Sequence, residues 1–217
     1  MTPLYPVFLR LAERRCTVVG GGQVATRKVL ALLECGAQVT VIAPWASSAI
    51  RQLAAEGRLT WLVRAYQPGD LADAWLAIAA TDAAAVNATV VEEAHARGVL
   101  VGAVEGDLGA DFANAAVARR GDVALAISTA GRSPAFARWL REQVERLLDT
   151  HLPLFDLLAE LRPEALGSDG AAWQAALDAE VREALAAGDR AGAKALLAQR
   201  LGLAAPAEPA SEAAPVR

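Results

Sequence analysis

The chain has 217 residues, 54% of them hydrophobic and only 5% aromatic, with a formal net charge of −4. That length holds one large domain or two small ones with a proper core, and the alanine-rich apolar composition excludes a disordered chain. The acidic balance excludes a general attraction to nucleic acid, so an anionic ligand requires a local cluster of arginines.

Cys16 and Cys35 are the only cysteines. Two thiols make no disulfide framework, and no Cys/His spacing suggests a metal ligand set, so reduced, mostly buried thiols and no metal site are expected. Residues 1–6 lack the basic and apolar regions of a signal peptide. The most apolar stretch, 71–91, is interrupted by Asp73, Asp82 and Asn87, which argues against a membrane span. A cytoplasmic protein is the expectation.

Strand and helix alternate over the first 105 residues. A β-branched run at 16–19 ends in Gly20, Gly21 and Gly22. Val24, Val29, Leu30, Leu32 and Leu33 recur at helical spacing, and Gly36 stops that helix. A second strand at 38–43 closes at Pro44. Ser47 and Ser48 are caps for a helix carrying Ile50, Leu53 and Ala54, which Gly57 ends. Residues 59–63 and 75–80 read as the third and fourth strands. Thr81 and Asp82 then cap a helix to about Arg97, Gly98 terminates it, and 99–104 make a fifth strand. Nearly continuous apolar strands between helices predict a parallel sheet covered on both faces, a Rossmann-type doubly wound α/β domain over 1–112.

Beyond that point 122–129 reads as a strand and 130–132 as a turn. Ser133-Pro134 opens a helix, with serine at the cap and proline at the first helical position, where its missing N–H costs nothing. This helix runs to about Leu148, with Ala137, Leu140, Val144 and Leu147 on one face. The organisation expected is a central segment at 113–150, a helical domain at 151–203 broken near Pro163 and 167–170, and a disordered tail at 204–217.

Gly20-Gly21-Gly22-Gln23-Val24-Ala25 matches G-x-G-x-x-A between a strand and a helix. Gly20 allows the tight turn, Gly22 lets the backbone approach a pyrophosphate, and Ala25 lets helix pack on strand. The helix N-terminus offers amides to the phosphates. Cofactor contacts are expected at Gly20, Gly22, Gln23 and Val24, at Ala43, Pro44 and Trp45 after the second strand, and at Thr81 and Asp82 after the fourth. The acidic residue that holds an adenosine ribose is missing, since Ala43-Pro44-Trp45 stand at its place. No arginine stands there either; Arg51 is a full turn into the next helix. The absence of a basic residue favours NAD over NADP.

Four motifs then follow in order: CTVVGGGQVATRK at 16–28, GAQVTVIAP at 36–44, WLAIAATD at 75–82 with Val86-Asn87, and ISTAGRSPAFARWLRE at 127–142. Together they resemble the precorrin-2 dehydrogenase/sirohydrochlorin ferrochelatase module of siroheme synthases. The resemblance covers about residues 3–150, and 151–203 match only as a helical region of suitable length. It implies oxidation of precorrin-2 to sirohydrochlorin with NAD, with ferrous iron insertion to siroheme in some members. It also implies a homodimer built from a dinucleotide domain, a central dimerisation segment and a helical C-terminal domain. The chain stops before the methyltransferase of larger siroheme synthases, so that step is expected to be absent.

The implied substrate is a tetrapyrrole bearing many carboxylates. Arg119, Arg120, Arg132, Arg138 and Arg141 lie in or near the helix begun at Ser133, whose N-terminus also favours negative charge. Substrate contacts are expected at Ser128, Thr129, Gly131, Arg132 and Ser133, and Thr129 stands where some members carry a phosphorylatable serine. The family's catalytic Asp lies in a motif resembling N-V-x-D after the fifth strand. Gly102-Ala103-Val104-Glu105 stand here instead, so both the Asn and the Asp are replaced. Glu105 keeps a carboxylate, and Asp107 and Asp111 are the neighbouring alternatives. A chelatase-only or degenerate paralogue, a non-enzymatic NAD-responsive module and an unrelated small-substrate dehydrogenase are the rival readings.

Overall fold

In a computed structural model, which describes residues 4–104, 109–163, 165 and 170–203, the apolar runs and glycine stops become the expected alternation. In chain order these are β1 (Arg15–Val19), α1 (Gln23–Glu34), β2 (Gln38–Ile42), α2 (Ser48–Ala55), β3 (Thr60–Leu62), β4 (Leu76–Ala79), α3 (Ala84–Arg97) and β5 (Leu100–Ala103). All five strands pair in parallel in the order β3-β2-β1-β4-β5. The register sets Leu62, Ile42, Val19, Ala79 and Ala103 in one row, so the strands finish level at their carboxyl ends. Strand order reverses between β1 and β4, and open α/β sheets bind ligands in the crevice outside such a point.

Because side chains alternate along a strand, β1, β4 and β5 each feed two cores. Cys16, Val18, Val39, Val41, Leu76 and Ile78 pack against Ala25, Val29, Leu32, Ile50 and Leu53 from α1 and α2. Val19, Ala77, Ala79 and Val101 face Val90, Val91 and Ala94 of α3 on the other side. The doubly wound expectation holds. Ser47 caps α2, its Oγ accepting from Ile50 N at 3.3 Å, and Gly98 ends α3 with φ 67°. At the start of α3 the expectation fails: its N-cap is Ala83, with no side-chain cap. The Thr81 hydroxyl is engaged instead by Ala83 O at 3.1 Å and Asn87 Oδ1 at 2.8 Å, and Asp82 is exposed. Cys16 is buried, which pushes its thiol up to about 11, whereas Cys35 is exposed at the end of α1 rather than buried.

Two further strands, β6 (Ala116–Arg120) and β7 (Val123–Ile127), pair as a separate two-stranded sheet, closed through Gly121 with φ 53°. The Ala-Val-Ala-Arg-Arg of β6 carries too weak a β signal to be read from sequence. Helix α4 (Pro134–Leu161) opens as expected, Ser133 Oγ accepting from Phe136 N at 3.2 Å, but runs past Leu148 and through Pro153. A proline inside a helix costs about 3 kcal/mol. Here Leu154, Leu157, Leu158 and Leu161 keep helical spacing beyond it and are buried or half-buried in a core with Trp173, Ala176, Val181, Ala193 and Leu197. Helices α5 (Gly170–Ala176), α6 (Ala179–Ala186) and α7 (Arg190–Arg200) supply the rest of that core. Asp178 caps α6 and Asp189 caps α7.

The chain divides into two compact units, Met1–Ala116 with Ala126–Arg138, and Val117–Leu125 with Trp139–Arg217. The tail expected at 204–217 lies outside the described residues. Among the described residues no helix is long and apolar enough to cross a membrane.

Candidate active site

The loop leaving β1 is shaped by what surrounds it. Gly20 has φ 127°, and a Cβ there would sit 2.2 Å from the carbonyl oxygen of Ala80, at the exit of β4. A Cβ on Gly21 would sit 1.9 Å from the carbonyl oxygen of Trp45, in the loop after β2. Gly22 is different, because a Cβ there would meet nothing within 4 Å. It is the N-cap of α1, in extended conformation and without a side-chain cap. The first amides of a helix have no intrahelical partner, so those of α1 open onto a space that suits an anionic group. Ala25 is fully buried and lets α1 lie close to the sheet. Gln23 is exposed and Val24 half-buried at the same helix start. The residues present fit a dinucleotide pyrophosphate.

Three residues that hold this cradle were not legible as site residues. Ser47 N donates to Gly21 O at 2.9 Å, the Ser47 and Thr26 hydroxyls lie 2.8 Å apart, and Thr26 Oγ1 donates to Gly22 O at 2.9 Å. Both hydroxyl side chains are buried, so the latch is shielded from water. The third is Asn87, buried in α3. Its Nδ2 donates to Thr81 O at 2.9 Å and its Oδ1 accepts from Thr81 N at 3.1 Å, which fixes the exit of β4. A polar residue at an apolar helix position was the signal for Asn87; Thr26 carried none.

After β2, Ala43 is buried and its carbonyl accepts from Trp61 Nε1 at 3.0 Å, while Pro44 and Trp45 are exposed, Trp45 at 62%. The loop after β2 therefore presents an indole and a proline and no carboxylate.

The exit of β5 departs furthest from the family motif. A Cβ on Gly102 would lie 2.6 Å from two ring carbons of Phe112, so the ring fills the space an Asn side chain would need. Asp111 N donates to Val101 O at 2.8 Å, and its Oδ2 accepts from Val101 N at 2.9 Å. Its Oδ1 lies 3.5 Å from His95 Nε2. That carboxylate extends the edge of β5. Glu105 and Asp107 lie outside the described residues. Asn114 reaches Ala103 O at 3.5 Å with Nδ2 and accepts from Lys28 Nζ at 2.6 Å with Oδ1.

The expected substrate residues come together in one turn before α4. Ser128 Oγ accepts from Ala130 N at 3.1 Å, Thr129 Oγ1 accepts from Ser133 N at 3.2 Å, and Thr129 O accepts from Arg132 N at 3.0 Å. Ala130 and Gly131 both have positive φ, which curls the turn and leaves Ser128, Gly131 and Arg132 exposed. The arginine cluster is only partly available. Arg120 is paired with Asp149, which raises the guanidinium's pKa, and Arg141 lies near Glu142 and Glu145. Among the described residues no group of three or more His, Cys, Asp or Glu side chains is placed to hold a metal ion.

What the exits of β1, β2 and β4 leave between them is a dinucleotide cradle, and the class follows: a Rossmann-type NAD(P)-binding protein. The "NAD(P)-binding" family model matches residues 7–116, and a model described as "Sirohaem biosynthesis protein central" matches 120–147. Siroheme synthase 1 of Aeromonas salmonicida is 35% identical over 199 residues, covering 88% of this chain and 42% of that protein. The siroheme synthase of Citrobacter koseri is 42% identical over 147 residues, 68% of this chain and 32% of that one. Among solved structures, "SirC, precorrin-2 dehydrogenase" is similar with a TM-score of 0.72 at 26% identity, covering 92% of this chain and 99% of that one. The chain belongs to the siroheme synthase family, in its NAD(P)-binding and central segments. It spans less than half the length of the siroheme synthases it matches.

Proposed function

We infer that the chain is an NAD-dependent dehydrogenase that oxidises precorrin-2 to sirohydrochlorin. The observation that carries this reading is the open cradle at Gly22, in a chain similar over nearly its whole length to a precorrin-2 dehydrogenase. Gly20, Gly22, Gln23 and Val24 hold the pyrophosphate, Ala43, Pro44 and Trp45 flank the adenosine, and Thr81 and Asp82 border the crevice from β4. NAD, when bound, accepts the hydride that leaves the substrate. The accompanying proton goes to Glu105 as general base, with Asp107 the next carboxylate along, while Asp111 is committed to Val101. Ser128, Thr129, Gly131, Arg132 and Ser133 receive a substrate carboxylate at the start of α4, where the helix N-terminus favours negative charge.

The reading includes a cytoplasmic homodimer formed through the central segment at 113–150, with the helical domain at 151–203 beyond it. Val117, Leu125, Leu147 and Phe155 expose large apolar side chains on β6, β7 and α4, and a two-stranded sheet is marginal unless it packs on something further. Ferrous iron is a second substrate: the same carboxylate removes pyrrole protons as the metal enters to give siroheme. A chelatase-only paralogue is favoured by one observation, the Phe112 ring over Gly102 at the catalytic strand exit.

Visible spectra of the protein with precorrin-2, with and without NAD, test the reading. Conversion to the sirohydrochlorin spectrum with matching NADH formation is expected only when NAD is present. An unchanged precorrin-2 spectrum with NAD bound overturns it.

A further inference from the structure

We propose that Lys28 anchors a carboxylate of the anionic substrate at the carboxyl end of β5. The proposal rests on the reading above, that an acidic tetrapyrrole is the substrate. Lys28 lies on α1, the helix whose N-terminus forms the phosphate cradle. Through Asn114 its amine is tied to Ala103, the last residue of β5 and a member of the row of strand ends. Helix α1 thus presents two features to the ligand edge of the sheet, its amides after β1 and a cation toward β5.

Among the described residues no anion faces that cation. Asn114 offers a neutral amide oxygen, and among the described residues no carboxylate lies within 4.0 Å of the Lys28 amine. The chain's other lysine, Lys194, is paired with Glu160. Lys28 is half-buried, and burial together with neighbouring Arg27 holds its pKa below the ordinary 10.5. A partly dehydrated ammonium facing a neutral acceptor is under-compensated, and a carboxylate supplies a charge-assisted hydrogen bond. The pyrophosphate has the α1 amides for its charge, so this cation is left for the substrate. Lys28 is a substrate-binding residue here, and no proton transfer is assigned to it.

Three variants test this, Lys28→Met, Lys28→Arg and Asn114→Ala, each followed by precorrin-2 turnover, sirohydrochlorin titration, NAD titration and thermal melting. A hydrogen bond to a charged group contributes enough that its loss weakens binding roughly tenfold to a hundredfold. Lys28→Met is expected to raise the precorrin-2 KM and the sirohydrochlorin Kd by that factor, with NAD affinity and melting temperature kept. Lys28→Arg recovers most of the loss, and Asn114→Ala shifts KM far less than Lys28→Met. An unchanged sirohydrochlorin Kd in Lys28→Met overturns the proposal. So do equal losses in Lys28→Met and Asn114→Ala with matched drops in melting temperature, since Lys28 then only braces the chain near Asn114. If the wild type binds sirohydrochlorin without oxidising precorrin-2, the functional reading fails while the titration still decides on Lys28. If it binds no sirohydrochlorin, both fall.

Discussion

The exits of β1 and β5 end on the same row of the sheet and are built by opposite means. At β1 backbone meets backbone: Gly20 and Gly21 are pressed against the carbonyl oxygens of Ala80 and Trp45, and buried Thr26 and Ser47 lock the contact. At β5 the space is filled by side chains, with Phe112 over Gly102, Asp111 on Val101 and Asn114 between Ala103 and Lys28. A backbone contact at 1.9 Å from a would-be Cβ admits no residue but glycine, so the motif there has no freedom to drift. A space shared by two side chains can be filled in several ways. That is how Gly102-Ala103-Val104-Glu105 stands where the family pattern reads N-V-x-D.

The largest expected effect lies at the β5 exit and asks which carboxylate works there. Glu105→Gln should slow NADH formation from precorrin-2 by about 10²–10⁴-fold, the usual contribution of a general base, with NAD affinity kept. Asp111→Ala should instead leave the rate near wild type. It should cost about 1–3 kcal/mol in urea unfolding, because the Val101 amide loses its acceptor. A dead Asp111→Ala beside a fast Glu105→Gln would move the base and undo the division of labour drawn between them.

At the β1 exit, two adjacent glycines should fail differently. Gly22→Asp points a charge into open space, so the melting temperature should hold while NAD affinity in calorimetric titration falls by at least about a hundredfold, from like-charge contact with the pyrophosphate. Gly21→Ala drives a methyl into the Trp45 carbonyl and should lower both stability and NAD affinity. Equal NAD binding by wild type and Gly22→Asp would remove the cradle from the site.

The smallest effect sharpens the contrast between the exits. Gly102→Asn, which restores the family residue, should destabilise by about 1–3 kcal/mol through overpacking against Phe112. Adding Phe112→Ala should recover part of that loss, a non-additive pair in denaturant titrations. If Gly102→Asn alone is as stable as wild type, the ring yields readily and the two exits do not differ in kind.

Sequence by itself determined the alternation from β1 to β5, the glycine stops, the cap at Ser47 and the Ser133-Pro134 start of α4. Each is a local signal, a side-chain period or a backbone preference carried within a few residues. Local signals also misled. The apolar face of α4 reads as ending near Leu148, yet the leucines beyond Pro153 bury in their own core and carry α4 to Leu161. Thr81 reads as a helix cap, yet Asn87 claims its hydroxyl. Only the tertiary structure decided that Gly21 is obligatory, that Phe112 takes the space beside Gly102, and that Lys28 meets Asn114. Those contacts join residues brought near by the winding of the chain across the sheet, and no local period or propensity records which distant partner fills a given space.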